Sequence, residues 1–273
     1  MPLKKEDVTI LDQFAFETPP VGVKFLPRPP AGIERLGENA ALCEMLAKAQ
    51  AGAAFYADAD NHTCGAGAYV LGLKDVAAPF INGEFGAGLK IFEEPRSAGR
   101  LYHYLPRIEK GVVNYVAFAP LSRLSFDPDV LCILSDIRRT EILLRAFSYR
   151  TGKPWVSRFS PAIGCAWTLV HPYLSGELNY FMTGMGHGMK RRNLFPEGRQ
   201  VVSIPFDLLP SLLQTLQVMP WVLPAYEPGG SAFVGRSAAD LRDVPDERLV
   251  EAYERHVIED ALLAAHEPRH AGP

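Results

Sequence analysis

The sequence predicts an α/β (or α+β) protein: a single core of mixed sheet with flanking helices, followed by a C-terminal helical extension. Three observations lead there. Short apolar runs alternate with helical patterns through residues 112–217. Hydrophobic residues make up 48% of the 273 positions and charged residues 22%, a balance that can bury a core without disulfides. After Pro220 the chain turns proline- and glycine-rich, which sets an arm and a last helix apart from the rest. The core is expected over residues 10–217 and the extension over 218–273.

The elements follow in order. Residues 6–17 carry a short amphipathic pattern. PPVGVKFLPRPP reads as a strand from Val21 to Leu26, because the prolines around it cannot continue a ladder. ENAALCEMLAKAQA, residues 38–51, predicts a helix, with Leu42, Met45, Leu46 and Ala49 on one stripe and Gly52 as its stop. AAFYAD is a short strand. In NHTCGAGAYVLGL, residues 61–73, Asn61 or Thr63 caps a helix that begins near Cys64. Gly65, Gly67 and Gly72 weaken that helix in isolation, and make sense where another backbone or a ligand comes close.

Residues 74–111 are rich in glycine and aromatics and show no clear period. VVNYVAFAPL is a strand. Val130 to Leu134 is nearly all apolar, as in a strand covered on both faces. A helix over 137–149 follows, closed by Gly152 and Pro154. SPAIGCAWTLVHPYLSG predicts a helix beginning after Pro161 and stopped by Pro172. ELNYFMTG alternates as a strand, GMGHGMKRRN reads as a glycine-rich loop, RQVVSIPF is a strand, and 207–217 is a helix. Residues 246–266 place Leu249, Tyr253, Val257 and Ala261 along the stripe of an amphipathic helix, which packs on the core or on a second subunit in a homodimer.

The formal charge of −3 gives no basic excess, so no nucleic-acid partner is expected. No run approaches the ~18 apolar residues of a membrane span, and MPLKKEDVTILDQF has no apolar signal core. A cytoplasmic, reducing setting is therefore expected. There, four cysteines read as thiols or metal ligands before disulfides.

Cys64 stands at a helix start beside glycine, where a thiolate is stabilised and a bulky ligand has room. Cys165, between Gly164 and Ala166, repeats that setting, and Cys43 lies within a helix. Cys132, inside VLCILS, reads as a small core hydrophobe. His62 either tunes or ligates beside Cys64, or is a surface residue at the helix start. His171 reads as a cation at a helix end. His187 sits among Met182, Met185 and Met189, a set considered for copper or haem and read instead as packing. Lys190, Arg191 and Arg192 form an anion site or a solvated turn. Asp127 and Asp129 read as turn formers around Pro128. No dinucleotide fingerprint, phosphate loop, nucleophile elbow or HExxH motif is present.

Taken in order, PVGVKFLP, Cys43-Glu44, HTCGAGAYVLGL, APLSRLSFDPDVLCIL, RAFSYRTG, IGCAWTLVHPYLSGELN and VVSIPFDLL resemble the uncharacterised ArCR-like family of unknown function, over roughly residues 15–217. The resemblance implies that Cys43, Cys64 and Cys165 belong to the family's cysteine pattern. Many members also carry a cysteine where this chain reads GMGHGMKRR. Met185 is the nearest occupant here, which leaves three cysteines and one open position.

Three functional readings stand. In the first, Cys43, Cys64 and Cys165 ligate an iron–sulfur cluster, [4Fe–4S], with His62, His187 and Arg191 around it. The chemistry would be redox, desulfuration or Lewis-acid work on a small, anionic molecule, with an electron-transfer partner where needed. Zinc is the weaker variant, because thiolate zinc sites come as paired close spacings. In the second, the protein binds or senses a small molecule without chemistry. In the third, Cys64 is the nucleophile of a metal-free cysteine enzyme.

Overall fold

A computed structural model describes residues 8–228 and Gly230. The chain divides into two compact units, one ending at Met219 and one beginning at Pro220. The helix read over 246–266 and most of the extension lie outside the described residues.

Within the first unit, Thr9–Phe14 form a 3-10 turn where an amphipathic helix was expected. Strand β1, Val21–Leu26, has the bounds that its flanking prolines set. Helix α1, Leu42–Gln50, starts four residues later than its pattern suggested. The preceding residues are held elsewhere. Ala40 N–H donates to the Asn61 carbonyl, Thr63 N–H donates to the Ala40 carbonyl, and the Asn61 amide donates to the carbonyls of Leu36 and Glu38. The Glu44 carboxylate then accepts from Ala41 N–H and caps α1.

Strand β2, Phe55–Asp58, and helix α2, Gly65–Val70, follow. The stretch without a clear period folds as three short helices: α3, Ala78–Ile81; α4, Glu84–Gly88; and α5, Pro95–Tyr104. Strand β3 is Tyr115–Pro120 and β4 is Val130–Ser135. Helix α6, Ile137–Tyr149, begins at Asp136, whose carboxylate accepts from Arg139 N–H at 2.8 Å.

A helix starting at Gly164 widens into a π turn over Ala166–Val170 and continues as α7, His171–Ser175. Pro172 was expected to end this helix and does not. The wide π turn just before it relieves the clash that a proline makes with a regular α-helix. Gly176, at φ 68°, makes the stop instead. Strand β5, Asn179–Met182, is followed by α8, His187–Arg191, a short helix inside the stretch read as a loop. Strand β6, Gln200–Pro205, and helix α9, Leu209–Val218, complete the unit.

The α/β class is as read from sequence. The six strands lie in the order β2-β3-β1-β4-β6-β5. The sheet was expected to be mixed, but all five pairings are antiparallel. The reason is the strand order: β1 lies between β3 and β4, and β6 lies between β4 and β5. Strands that run the same way are never neighbours. Every residue of β4 is buried, so the sheet is covered on both sides. Val130, Cys132 and Leu134 join the cluster that holds Leu42, Met45 and Leu46 of α1. Leu131 and Ile133, which alternate with them, are also buried completely. Among the described residues no helix is long and apolar enough to cross a membrane.

A cavity lined by three cysteines

Cys43 and Cys64 reach the same place through the crossing at residues 36–63. Ala40 bridges His62 there. Cys43 then falls in the first turn of α1, and Cys64 is the N-cap of α2. The two helices approach closely at Gly67, where an added Cβ would lie 3.1 Å from Leu42 Cβ.

Cys165 arrives from the helix that begins at Gly164. An added Cβ on Gly164 would lie 3.2 Å from the Phe159 ring and 3.3 Å from Met189 Cε. Ile163 just before it sits at φ 57°, a conformation that costs a β-branched residue about 1–2 kcal/mol. Thr168 Oγ1 donates to the Gly164 carbonyl at 2.9 Å and holds this first turn. His187 N–H donates to the Pro161 carbonyl at 2.8 Å. That bond brings α8 against the segment carrying Cys165.

All three cysteines line one cavity of about 280 Å³. His187, Arg191 and Arg192 share its wall with them. Arg192 Nη1 donates to the Gly188 carbonyl at 3.0 Å, and its Nε lies 3.5 Å from Glu44 Oε1. Lys190 points away and pairs with Glu197 at 2.8 Å. The basic run was read as one feature; the fold gives two of its residues to the cavity and one to a surface ion pair. The segment from α3 to α5 adds Phe80, Phe85, Phe92 and Tyr102 to the lining. Sequence reasoning missed these aromatics, because no period marked their elements.

Burial pushes the Cys43 thiol up to about 11, opposed by the Arg192 guanidinium and reinforced by Cys64 and Glu44. The Cys165 thiol is pushed well above its usual range, first by burial and then by Cys64 and Cys43. Cys165 keeps some surface open to the cavity, but protein surrounds it on the other sides. Cys43 thus feels Cys64 as a like charge, and Cys165 feels both Cys64 and Cys43. Cys132 lies apart, wholly buried in β4, with its sulfur 3.8 Å from Ser203 Oγ and its thiol pushed up to about 12 by burial.

Two histidine readings are corrected. His62 is neither a surface residue nor a lining residue of the cavity. It is buried, and among the described residues neither ring nitrogen has a hydrogen-bond partner. Burial and then Lys74 hold its pKa down to about 4. The Ala40 bridge draws its backbone into the crossing, and the imidazole goes in with it. His171 is not a cation at a helix end: α7 continues past it, and burial lowers its pKa. Asp129 accepts from Phe25 N–H at 2.7 Å, so it ties β1 rather than only forming a turn. Among the described residues no group of three or more His, Cys, Asp or Glu is arranged to hold a metal ion.

The sequence profile of one protein family, described as Uncharacterised ArCR, matches residues 9–215. The chain belongs to that family. The part matched to Uncharacterised ArCR includes all six strands and all the cysteines. No curated protein and no solved structure matches the chain.

Proposed function

We propose that the cavity is a cofactor and substrate site in which Cys43, Cys64 and Cys165 hold an iron–sulfur cluster of the [4Fe–4S] type. The observation that carries this reading is the meeting of three thiols on one cavity from three separate helices. The donor set fits the group. Burial is the chief cause of the raised pKa values of Cys43 and Cys165, and mutual repulsion of the thiolates adds to it. A cationic iron centre would remove that repulsion. Each cysteine of a cluster bonds a different iron, so its donors need not crowd round one ion as in a zinc site. Gly65 leaves open space at the cavity wall, with no atom nearer than 4.0 Å to an added Cβ.

A bound cluster with one iron free of cysteine would supply Lewis acidity, sulfur or electrons to a small molecule. The chain's own residues would do the rest. Cys43, Cys64 and Cys165 give up their protons to bind. Arg192 lies close enough to Cys43 to favour its thiolate. The aromatic residues of α3 to α5 exclude water. His187 and Arg191 border the space left to a ligand. A metal-free nucleophile at Cys43 or Cys165 is disfavoured, because their thiols would be protonated at neutral pH. The apolar wall favours one second reading, a binding protein without chemistry.

Anaerobic reconstitution with iron and sulfide tests the proposal. Brown protein with bound iron and sulfide is expected. Serine at Cys43, Cys64 or Cys165 should abolish it, and Cys132→Ala should not. A protein that stays colourless and iron-free, yet gains thermal stability with a metabolite, would establish the binding-protein reading instead.

A further inference from the structure

The wall of the cavity carries two chemistries. Arg191 and Arg192 line it, and among the described residues no Asp or Glu does. Arg192 is partly committed to Glu44 and the Gly188 carbonyl. Arg191 is exposed and, among the described residues, makes no ion pair. The lining from Phe80 to Leu101 is apolar. The rings of Phe80 and Phe85 stack with centroids 4.3 Å apart, and Phe85 and Leu89 line the cavity while 44% and 38% exposed. Apolar side chains held open on a cavity wall gain from an apolar occupant. An unpaired guanidinium on the same wall gains from an anion.

We infer that the ligand of this cavity is an amphipathic organic anion, with an aryl-sized apolar body against α3 to α5 and a carboxylate, sulfonate or similar group at Arg191. The inference rests on the reading of this cavity as the small-molecule site, and is independent of whether iron binds. Arg191 selects the charge, and Phe85 with its neighbours selects the body. Small inorganic anions engage only the charged part of the wall and bind poorly.

Two fluorescent probes test this on the full-length, metal-free chain. Anilinonaphthalene sulfonate and its parent N-phenylnaphthylamine share one aryl body, and only the first is an anion. The sulfonate is expected to bind once per chain, about tenfold tighter than the parent, the scale of one charge-assisted contact. Arg191→Glu, an exposed substitution, should remove that preference and leave the parent's affinity unchanged. Phe85→Ala should weaken both probes. Inorganic sulfate at the probe's concentration should displace neither. Equal binding of the two probes, or a preference that survives Arg191→Glu, overturns the anion contact. Displacement by sulfate, or binding indifferent to Phe85→Ala, overturns the apolar contact. If neither probe binds, the small-molecule reading of the cavity falls with the inference. Iron uptake on the same preparation is measured separately, so loss of the cluster reading is seen by itself.

Discussion

Among the described residues nothing hydrogen-bonds to either ring nitrogen of His62, and its pKa is held down from 6.5 to about 4, chiefly by burial. The unfolded chain takes up a proton near pH 6.5, while the folded chain resists until about pH 4. Between those values the unfolded state binds more protons, so stability rises with pH through the window and levels off above it. The full difference is about 3 kcal/mol. Urea midpoints measured from pH 4 to 7 should show this slope, and His62→Leu should flatten it relative to the natural chain. The cysteines carry a second pH dependence. Thiols pushed up to about 11 at Cys43, and well above the usual range at Cys165, must lose protons to bind a metal. Iron uptake should therefore fall steeply as the pH is lowered, which an anaerobic titration followed by absorbance would read. Cys132 belongs to the core, and Cys132→Ala should cost about 1 kcal/mol in stability without touching iron content.

At the scale of elements, the glycines around α2 divide by role. Gly65 meets open space, Gly67 meets Leu42, and Gly72 sits at φ 73° with an added Cβ only 2.6 Å from the Glu109 carbonyl oxygen. Gly72→Ala should therefore cost about 2 kcal/mol or more, from backbone strain and collision together. Gly65→Ala should stay within about 0.5 kcal/mol of the natural chain, since alanine also favours the helix. Chemical denaturation of the pair separates a glycine needed by the backbone from one that leaves room at the cavity. The π turn ahead of α7 acts at the same scale. It accommodates Pro172 and continues the helix that carries Cys165, and π turns often mark functional sites. The Asn179 side chain ties this region together, donating to the carbonyls of Trp167 at 2.8 Å and Arg158 at 3.0 Å.

For the whole molecule, the division at Met219 leaves the six-stranded sheet, the cavity and the whole family match in one unit. A chain ended after Met219 is expected to unfold in a single cooperative transition and to keep whatever iron the full chain binds. Calorimetry and iron analysis of the truncated protein check this, and a noncooperative melt would show that the core needs the rest of the chain.

Local signals were enough for β1, β4 and α6, because proline fences, a continuous apolar run and a helical stretch closed by Gly152 and Pro154 act within a few residues. They were also enough to set Cys132 apart, since a thiol inside VLCILS has only apolar neighbours. The strand order was not legible, because placing β1 between β3 and β4 depends on pairing across the whole unit. The burial of His62 and the shared cavity of Cys43, Cys64 and Cys165 follow from the crossing near Ala40 and the docking of α8 on Pro161, both long-range contacts. The apolar wall of α3 to α5 escaped detection for a related reason: short helices fixed by their neighbours need no period of their own. The sequence by itself thus determined the six strands, helices α1, α2, α6 and α9, and which residue types are available for chemistry. Only the tertiary structure decided which of those residues share one cavity, because packing between distant segments, not spacing along the chain, brings them together.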